Sequence, residues 1–389
     1  MSVALACAVL VACSPANQAP ADQGPTGGAT GSAASTPSAS AEPKGPSALD
    51  DRYNPAFTDA LIDPTDLIAG GPPPDGIPPL DKPTFESVDE VDWLGPTEPL
   101  LALTVDGQTT GYPLQIMTWH EIVNDTVAGV PVAVTYCPLC NSGVAFHREV
   151  DGRVLDFGTS GLLYASNLVM YDRQTESLWP QLTGIASLGA LTGTKLKAIP
   201  MGVVGWDQFA SAYPDARVLS RETGFDRDYG RNPYVSYDDP EGRLIALPPN
   251  GRDNRLPVKE RVIGVGAGAD AIAVRRDALA DGPVALEASG RPLVLWRVPG
   301  QASALDRPEI KDGKDIGTVG VFSARLGGRL LTFRAAGAGF VDEQTGSTWT
   351  ALGRATRGPL AGRRLRTVQH LDTFWFAWVA FQPETTIHG

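Results

Sequence analysis

The chain states one pattern twice, so any fold that serves it must serve it in duplicate. Residues 172–179 read DRQTESLW and residues 342–349 read DEQTGSTW. Asp172, Gln174, Thr175, Ser177 and Trp179 thus recur as Asp342, Gln344, Thr345, Ser347 and Trp349 at one fixed spacing. With the offset shortened by a single residue, Leu191, Gly193 and Leu196 match Leu360, Gly362 and Leu365, and Trp206 and Pro214 match Trp375 and Pro383. Upstream, EPLLALTVDGQTTGYPLQIM from Glu98 aligns without a gap on ERVIGVGAGADAIAVRRDAL from Glu260, mainly in its hydrophobic pattern. Self-similarity of this kind marks duplicated architecture. What both copies keep serves the fold, and what one copy alone holds is the better candidate for function. Copy one holds Cys137-Pro138-Leu139-Cys140, His120 and His147; the aligned stretch of copy two, KDGKDIGTVG, has no cysteine.

At 389 residues the chain is long enough for two sizeable cores. Its net charge of −12 and its lack of any basic run argue against nucleic acid as a partner, since a nucleic-acid groove needs clustered Lys and Arg. The first thirteen residues, MSVALACAVLVAC, are too short an apolar run to span a bilayer. They resemble the lipobox of bacterial lipoproteins, which implies lipid on Cys13 and a membrane partner through that anchor alone. Residues 14–48 are Pro, Ala, Gly, Ser and Thr with almost no bulky apolar side chain, the composition of a disordered tether. A lipid anchor, a stalk and a body together give the layout of an extracytoplasmic protein held to the cell envelope.

The body divides into a Pro-rich lead-in over 49–97, copy one over 98–215, a connector over 216–259 and copy two over 260–385. The lead-in is expected to pack without much regular structure. In copy one VPVAVTY, SGVAFHREV and NLVMYD have a period of about two, and Asp106-Gly107 and Asp151-Gly152 supply hairpin turns. Helical pattern is confined to PLQIMTWHEIVND, GWDQFASAYPD and, at the end of copy two, TFWFAWVAFQPET. The fold class expected is therefore α+β and β-rich. It would be a tandem duplication of a mainly antiparallel β unit with one or two short helices per copy, each unit a candidate for closure into a barrel.

A Cys-x-x-Cys pair serves as half of a soft-metal site, as a thiol–disulfide redox couple, or as a structural staple. Strand patterns on both sides of Cys137 and Cys140 favour a knuckle turn over the strand-to-helix setting of thioredoxin-like proteins. His120 is the leading third metal ligand, with Glu121 and Asp125 beside it; His147, Met170 and His370 are weaker candidates. Copper, zinc or iron would suit such a site. Outside the cytoplasm the same pair could instead cycle to a disulfide, or pinch a hairpin in a protein that only binds. Arg173, Arg227 and Arg231 form a cationic strip that would contact an anion or partner, or seam the two copies together. The shared DxQTxSxW element reads as a turn in which a carboxylate accepts backbone N–H groups over a packed Trp.

WHEIVND (119–125), TYCPLCNS (135–142), FGTSGLLYASNLVMYDR (157–173) and SLWPQLTGIA (177–186) together resemble the signatures of the bacterial and archaeal family called domain of unknown function 3179. The resemblance covers roughly residues 97–385. It implies the extent of the domain and no particular activity, and it implies an acidic residue where this chain has His147.

Overall fold

Short runs of β-branched and aromatic residues broken by Asp-Gly pairs fold back as hairpins, and the chain builds small, mainly antiparallel sheets. A computed structural model describes residues 45–249 and 251–389; Cys13 and the tether through residue 44 lie outside the described residues. At the expected end of the tether, Ala48 is already buried against a cluster that includes Leu67, Val169 and Tyr171.

Copy one contains three sheets. In the first, hairpin Pro99–Val105/Gln108–Pro113 is flanked by Met201–Gly205 antiparallel on one side and by Arg217–Leu219 parallel on the other. In the second, Val130–Cys137 lies between Ile122–Val127 and Ser142–His147. In the third, Asn167–Asp172 lies between Phe157–Tyr164 and Leu178–Pro180. Copy two repeats all three. His370–Phe374, Arg261–Val265, Ile272–Arg275 and Thr386–His388 keep the first order, including the parallel last strand. Val284–Ala288, Arg291–Val298 and Thr318–Ser323 form the second sheet, and Phe333–Ala336, Gly339–Asp342 and Thr348–Trp349 form the third.

Among the described residues no sheet closes on itself, so the expected barrels are not formed. Closure needs an unbroken ladder around the ring. Here sheet edges are capped instead by the lead-in, which is more regular than its prolines suggest. Its strand Leu67–Ala69 pairs with Phe157–Tyr164, and Phe85–Ser87 pairs with Arg217–Leu219.

The hairpin turns fall where Asp-Gly pairs place them, with φ of 46° and 86° at Asp106-Gly107 and 50° and 74° at Asp151-Gly152. Among the described residues three α-helices form: α1 (Leu114–His120), α2 (Trp206–Ala212) and α3 (Trp375–Phe381). The last two are counterparts that open on Trp206 and Trp375. The helix expected over PLQIMTWHEIVND is only half there. It stops at Glu121, which sits at φ 58°, and Ile122 already starts a strand.

The repeated DxQTxSxW element is one structure built twice. Asp172 accepts hydrogen bonds from the Thr175 amide (2.7 Å), the Thr175 hydroxyl (2.8 Å) and the Trp179 indole (2.9 Å). Asp342 does the same with Thr345 and Trp349 at 2.7, 2.9 and 2.9 Å. Gly189 and Gly358 cross these turns at φ 112° and 89°, and a Cβ on either would lie 2.7 Å from the Cα of Ser177 or Ser347. No side chain fits there, so glycine holds both positions.

The copies also meet reciprocally. Met201–Gly205 lies beside Thr318–Ser323, and its counterpart His370–Phe374 lies beside Ser142–His147, as a pseudo-twofold relation requires. The Gly205 amide donates to Thr318 Oγ1, while the equivalent Phe374 amide donates to the Cys140 carbonyl, both at 3.1 Å.

Candidate functional site

The two cysteines occupy the tight connection between the second and third strands of the middle sheet. Cys137 ends one strand and pairs with Ser142, which begins the next. The turn is closed by Asn141 at φ 51°, where asparagine is tolerated, and the Tyr136 hydroxyl donates to Asn141 Oδ1 at 3.2 Å. From copy two, the Thr373 hydroxyl (2.8 Å) and the Phe374 amide (3.1 Å) both donate to the Cys140 carbonyl. The pair is free and buried, with Cys137 1 % and Cys140 0 % exposed.

The two thiols have opposite surroundings. Burial pushes the Cys137 thiol up, but the neighbouring Cys140 thiol and the nearby amides of Leu168, Cys140 and Leu139 leave it below the ordinary value. Cys140 is raised well above it by burial and by the neighbouring Cys137. Its sulfur lies 3.0 Å from Ser142 Oγ, which continues through Gln181 to Thr135 in a buried polar chain. Cys137 is therefore the sulfur prepared to carry charge, and Cys140 the one prepared to keep its proton.

Glu121 stands beside them. Its carbonyl accepts from the Tyr136 amide at 2.7 Å, so the backbone holds it opposite the residue that precedes Cys137. Its side chain is 6 % exposed, and among the described residues nothing hydrogen-bonds its carboxyl group. Burial, then the nearby Cys137, raise it well above the usual carboxylate range. It faces a small cavity of about 140 Å³ whose other walls include Leu139, Leu168, Tyr234, Ile245 and Gly161. Gly161, at φ 74°, is required there because a Cβ would lie 2.2 Å from the Pro72 carbonyl as the lead-in crosses.

The cover comes from the connector and from copy two. Where copy one turns in four residues, copy two places a long loop over 299–317. The Leu305 carbonyl of that loop accepts from the Tyr237 amide (3.0 Å), and the Pro308 carbonyl accepts from the Asn232 amide (2.8 Å). Tyr234 and Tyr237 are thereby held over the cysteine turn, and Leu305 is buried in the same cluster as both thiols. Among the described residues the buried Tyr237 hydroxyl has no hydrogen-bond partner, and burial next to the two thiols raises it.

The other expected residues are dispersed. His120 does not join the pair: its Nδ1 is 2.7 Å from the Pro78 carbonyl and its Nε2 is 2.5 Å from the Tyr229 hydroxyl. His147 is half-buried at the far end of its strand, and His370, with Nδ1 2.8 Å from the Val368 carbonyl, lines a groove of about 530 Å³ between the copies. Met170 alone shares the buried cluster of the thiols. Among the described residues no three or more His, Cys, Asp or Glu side chains converge to hold a metal ion. Arg173 is taken up by Asp75 (3.1 Å) and Asp81 (2.6 Å), which tie down the lead-in, and Arg231 by Glu309 (2.7 Å) of the copy-two loop. Arg227 is exposed. Arg173 thus ties copy one to the lead-in and Arg231 ties the connector to copy two, and neither ion pair joins copy one to copy two.

Sequence reasoning passed over Glu121, treating it only as a neighbour of His120. No local signal marked it, because the helical pattern runs on through Asp125 and only the structure ends the helix at His120.

Fold and site together define a duplicated β-rich protein with a single buried dithiol turn in its first half. The chain belongs to the family described as a protein of unknown function (DUF3179), whose profile matches residues 74–385 and so takes in much of the Pro-rich lead-in. No curated protein and no solved structure matches it.

Proposed function

We propose that this is an envelope-anchored, extracytoplasmic protein in which Cys137 and Cys140 cycle between two thiols and a disulfide. One observation carries the reading: two free, buried cysteines share one tight turn, with the Cys140 sulfur 3.7 Å from the Cys137 carbonyl and 3.0 Å from Ser142 Oγ. The neighbouring Cys140 thiol and nearby amides also hold the Cys137 thiol below its ordinary value, as a nucleophilic thiol requires. Cys137 would attack and Cys140 would resolve. Two S–H bonds give way to one S–S bond, and two electrons and two protons pass to an oxidant. The envelope location rests on the lipobox ending at Cys13 and on the tether behind it.

The test uses the full chain with Cys7 and Cys13 replaced by serine, reduced and then titrated against a dithiol couple. A reversible two-electron disulfide that disappears in both Cys137→Ser and Cys140→Ser supports the proposal. Thiols that stay reduced at every potential short of unfolding would sink it.

The burial of Met170 in the same cluster favours one second reading: a soft metal ion, copper(I) before zinc or iron, held by two thiolates and a thioether. Metal analysis after anaerobic reloading separates the two. Stoichiometric metal that is lost in Met170→Leu, with no reversible disulfide, would select this reading over the first.

A further inference from the structure

We propose that the cavity beside the dithiol admits a small uncharged hydroperoxide, and that Glu121 is the acid that protonates the departing oxygen. The inference rests on the redox reading of Cys137 and Cys140 and names its oxidant.

Size comes first. Both sulfurs are buried beneath Leu305 and the Tyr234–Tyr237 segment, so a disulfide on another protein cannot reach them in the folded state. A cavity of about 140 Å³ adjoins the turn: Leu139, which stands between the cysteines in the chain, forms part of its wall, while neither sulfur lines it. Peroxide or a small alkyl hydroperoxide fits that volume. A charged tripeptide disulfide does not, and walls made mainly of Leu, Ile, Pro and Gly offer its charges no partner.

Chemistry then separates the small oxidants. A disulfide expels a thiolate, which leaves without help near neutral pH. A hydroperoxide expels an alkoxide or hydroxide, a far stronger base, and gains from a proton delivered as the O–O bond breaks. The wall supplies one such group. Glu121 is 94 % buried, has no hydrogen-bond partner among the described residues, and is kept neutral by burial beside Cys137. A neutral carboxylic acid near a thiolate leaves one negative charge in the buried site, where two ionised groups would repel each other away from solvent.

The steps balance. The Cys137 thiolate attacks the outer oxygen of ROOH, an S–O bond forms, the O–O bond breaks, and the Glu121 proton passes to RO⁻ to give ROH. Cys140 then attacks the sulfur of the Cys137 sulfenic acid. The S–S bond forms, the S–O bond breaks, and hydroxide leaves with the Cys140 proton as water. Glu121 regains from solvent the proton that Cys137 released on ionising, and an external thiol reductant would return the disulfide to two thiols.

Single-turnover oxidation of the reduced chain, with Cys7 and Cys13 as serine, tests this against alkylation by iodoacetamide, which needs no acid because iodide leaves freely. Glu121→Gln should slow oxidation by hydrogen peroxide about 10-fold or more while alkylation of Cys137 stays at the parent rate. Leu139→Ala should speed reaction with a bulky tertiary hydroperoxide more than reaction with hydrogen peroxide. Equal peroxide rates in Glu121→Gln and parent, with alkylation intact, would overturn the role of Glu121 and leave the redox pair standing. Thiols inert to both reagents would overturn the redox reading itself.

Discussion

The connection between the second and third strands of the middle sheet is four residues in copy one and a loop over 299–317 in copy two. In copy one it is a turn that carries two free, buried thiols. In copy two it is a long arm that leaves its own half, and Ala302 donates to the Thr97 carbonyl while Leu305 and Pro308 hold the connector. The sheets around the two connections superpose in order and sense, so the frame does not dictate what the connection does. Duplication here has let one copy specialise in chemistry and the other in covering it.

That division predicts equal penalties for damage to the frame. Trp179→Ala and Trp349→Ala remove fully buried rings held by the same carboxylate geometry. Each should cost about 3–5 kcal/mol in chemical denaturation. A large cost at one site and none at the other would break the equivalence.

Damage to the cover should be smaller in stability and visible at the thiols. Leu305→Ala should cost about 2–4 kcal/mol and raise the native alkylation rate of Cys137, although residue 305 belongs to copy two. Unchanged alkylation would mean that the loop does not shield the site.

Glu121→Gln sharpens the contrast from the copy-one side, because here the sign is a gain. The folded protein holds Glu121 protonated above its ordinary value of 4.5, so below that pH the two states bind its proton alike. As pH rises from there toward the raised folded value, the unfolded chain ionises first and folding is penalised. The variant should melt with the parent in acid and a few degrees above it at neutral pH. A melting temperature lowered at pH 7 would show that the carboxyl group has a stabilising partner. The smallest effect belongs to Arg231→Ala: the exposed pair with Glu309 should shift melting by too little to resolve, and by less still in high salt.

Much of the frame was legible in the chain because its causes are local. Asp106-Gly107 makes its turn from its own φ preferences, and Asp172, Thr175 and Trp179 find one another within eight residues. Helices α2 and α3 were readable from their aromatic patterns. The end of α1 was not, since the pattern of WHEIVND suits a helix until the strand Val130–Cys137 claims Ile122 and Asn124 for its ladder. His120 drew attention as a metal ligand because its type and proximity in the chain suggested it. The Pro78 carbonyl and the Tyr229 hydroxyl that occupy its nitrogens lie 42 and 109 residues away, beyond any local signal.

By itself, then, the amino-acid sequence determined that a β-rich unit is built twice and that only the first copy carries cysteines. Both follow from residue type and short spacing. Only the tertiary structure decided that Glu121, Leu168, Tyr234 and Leu305 surround those cysteines, and that one thiol is lowered while the other is raised. Burial and long-range hydrogen bonds set both outcomes, because desolvation and amide donation depend on which distant segments close over a site.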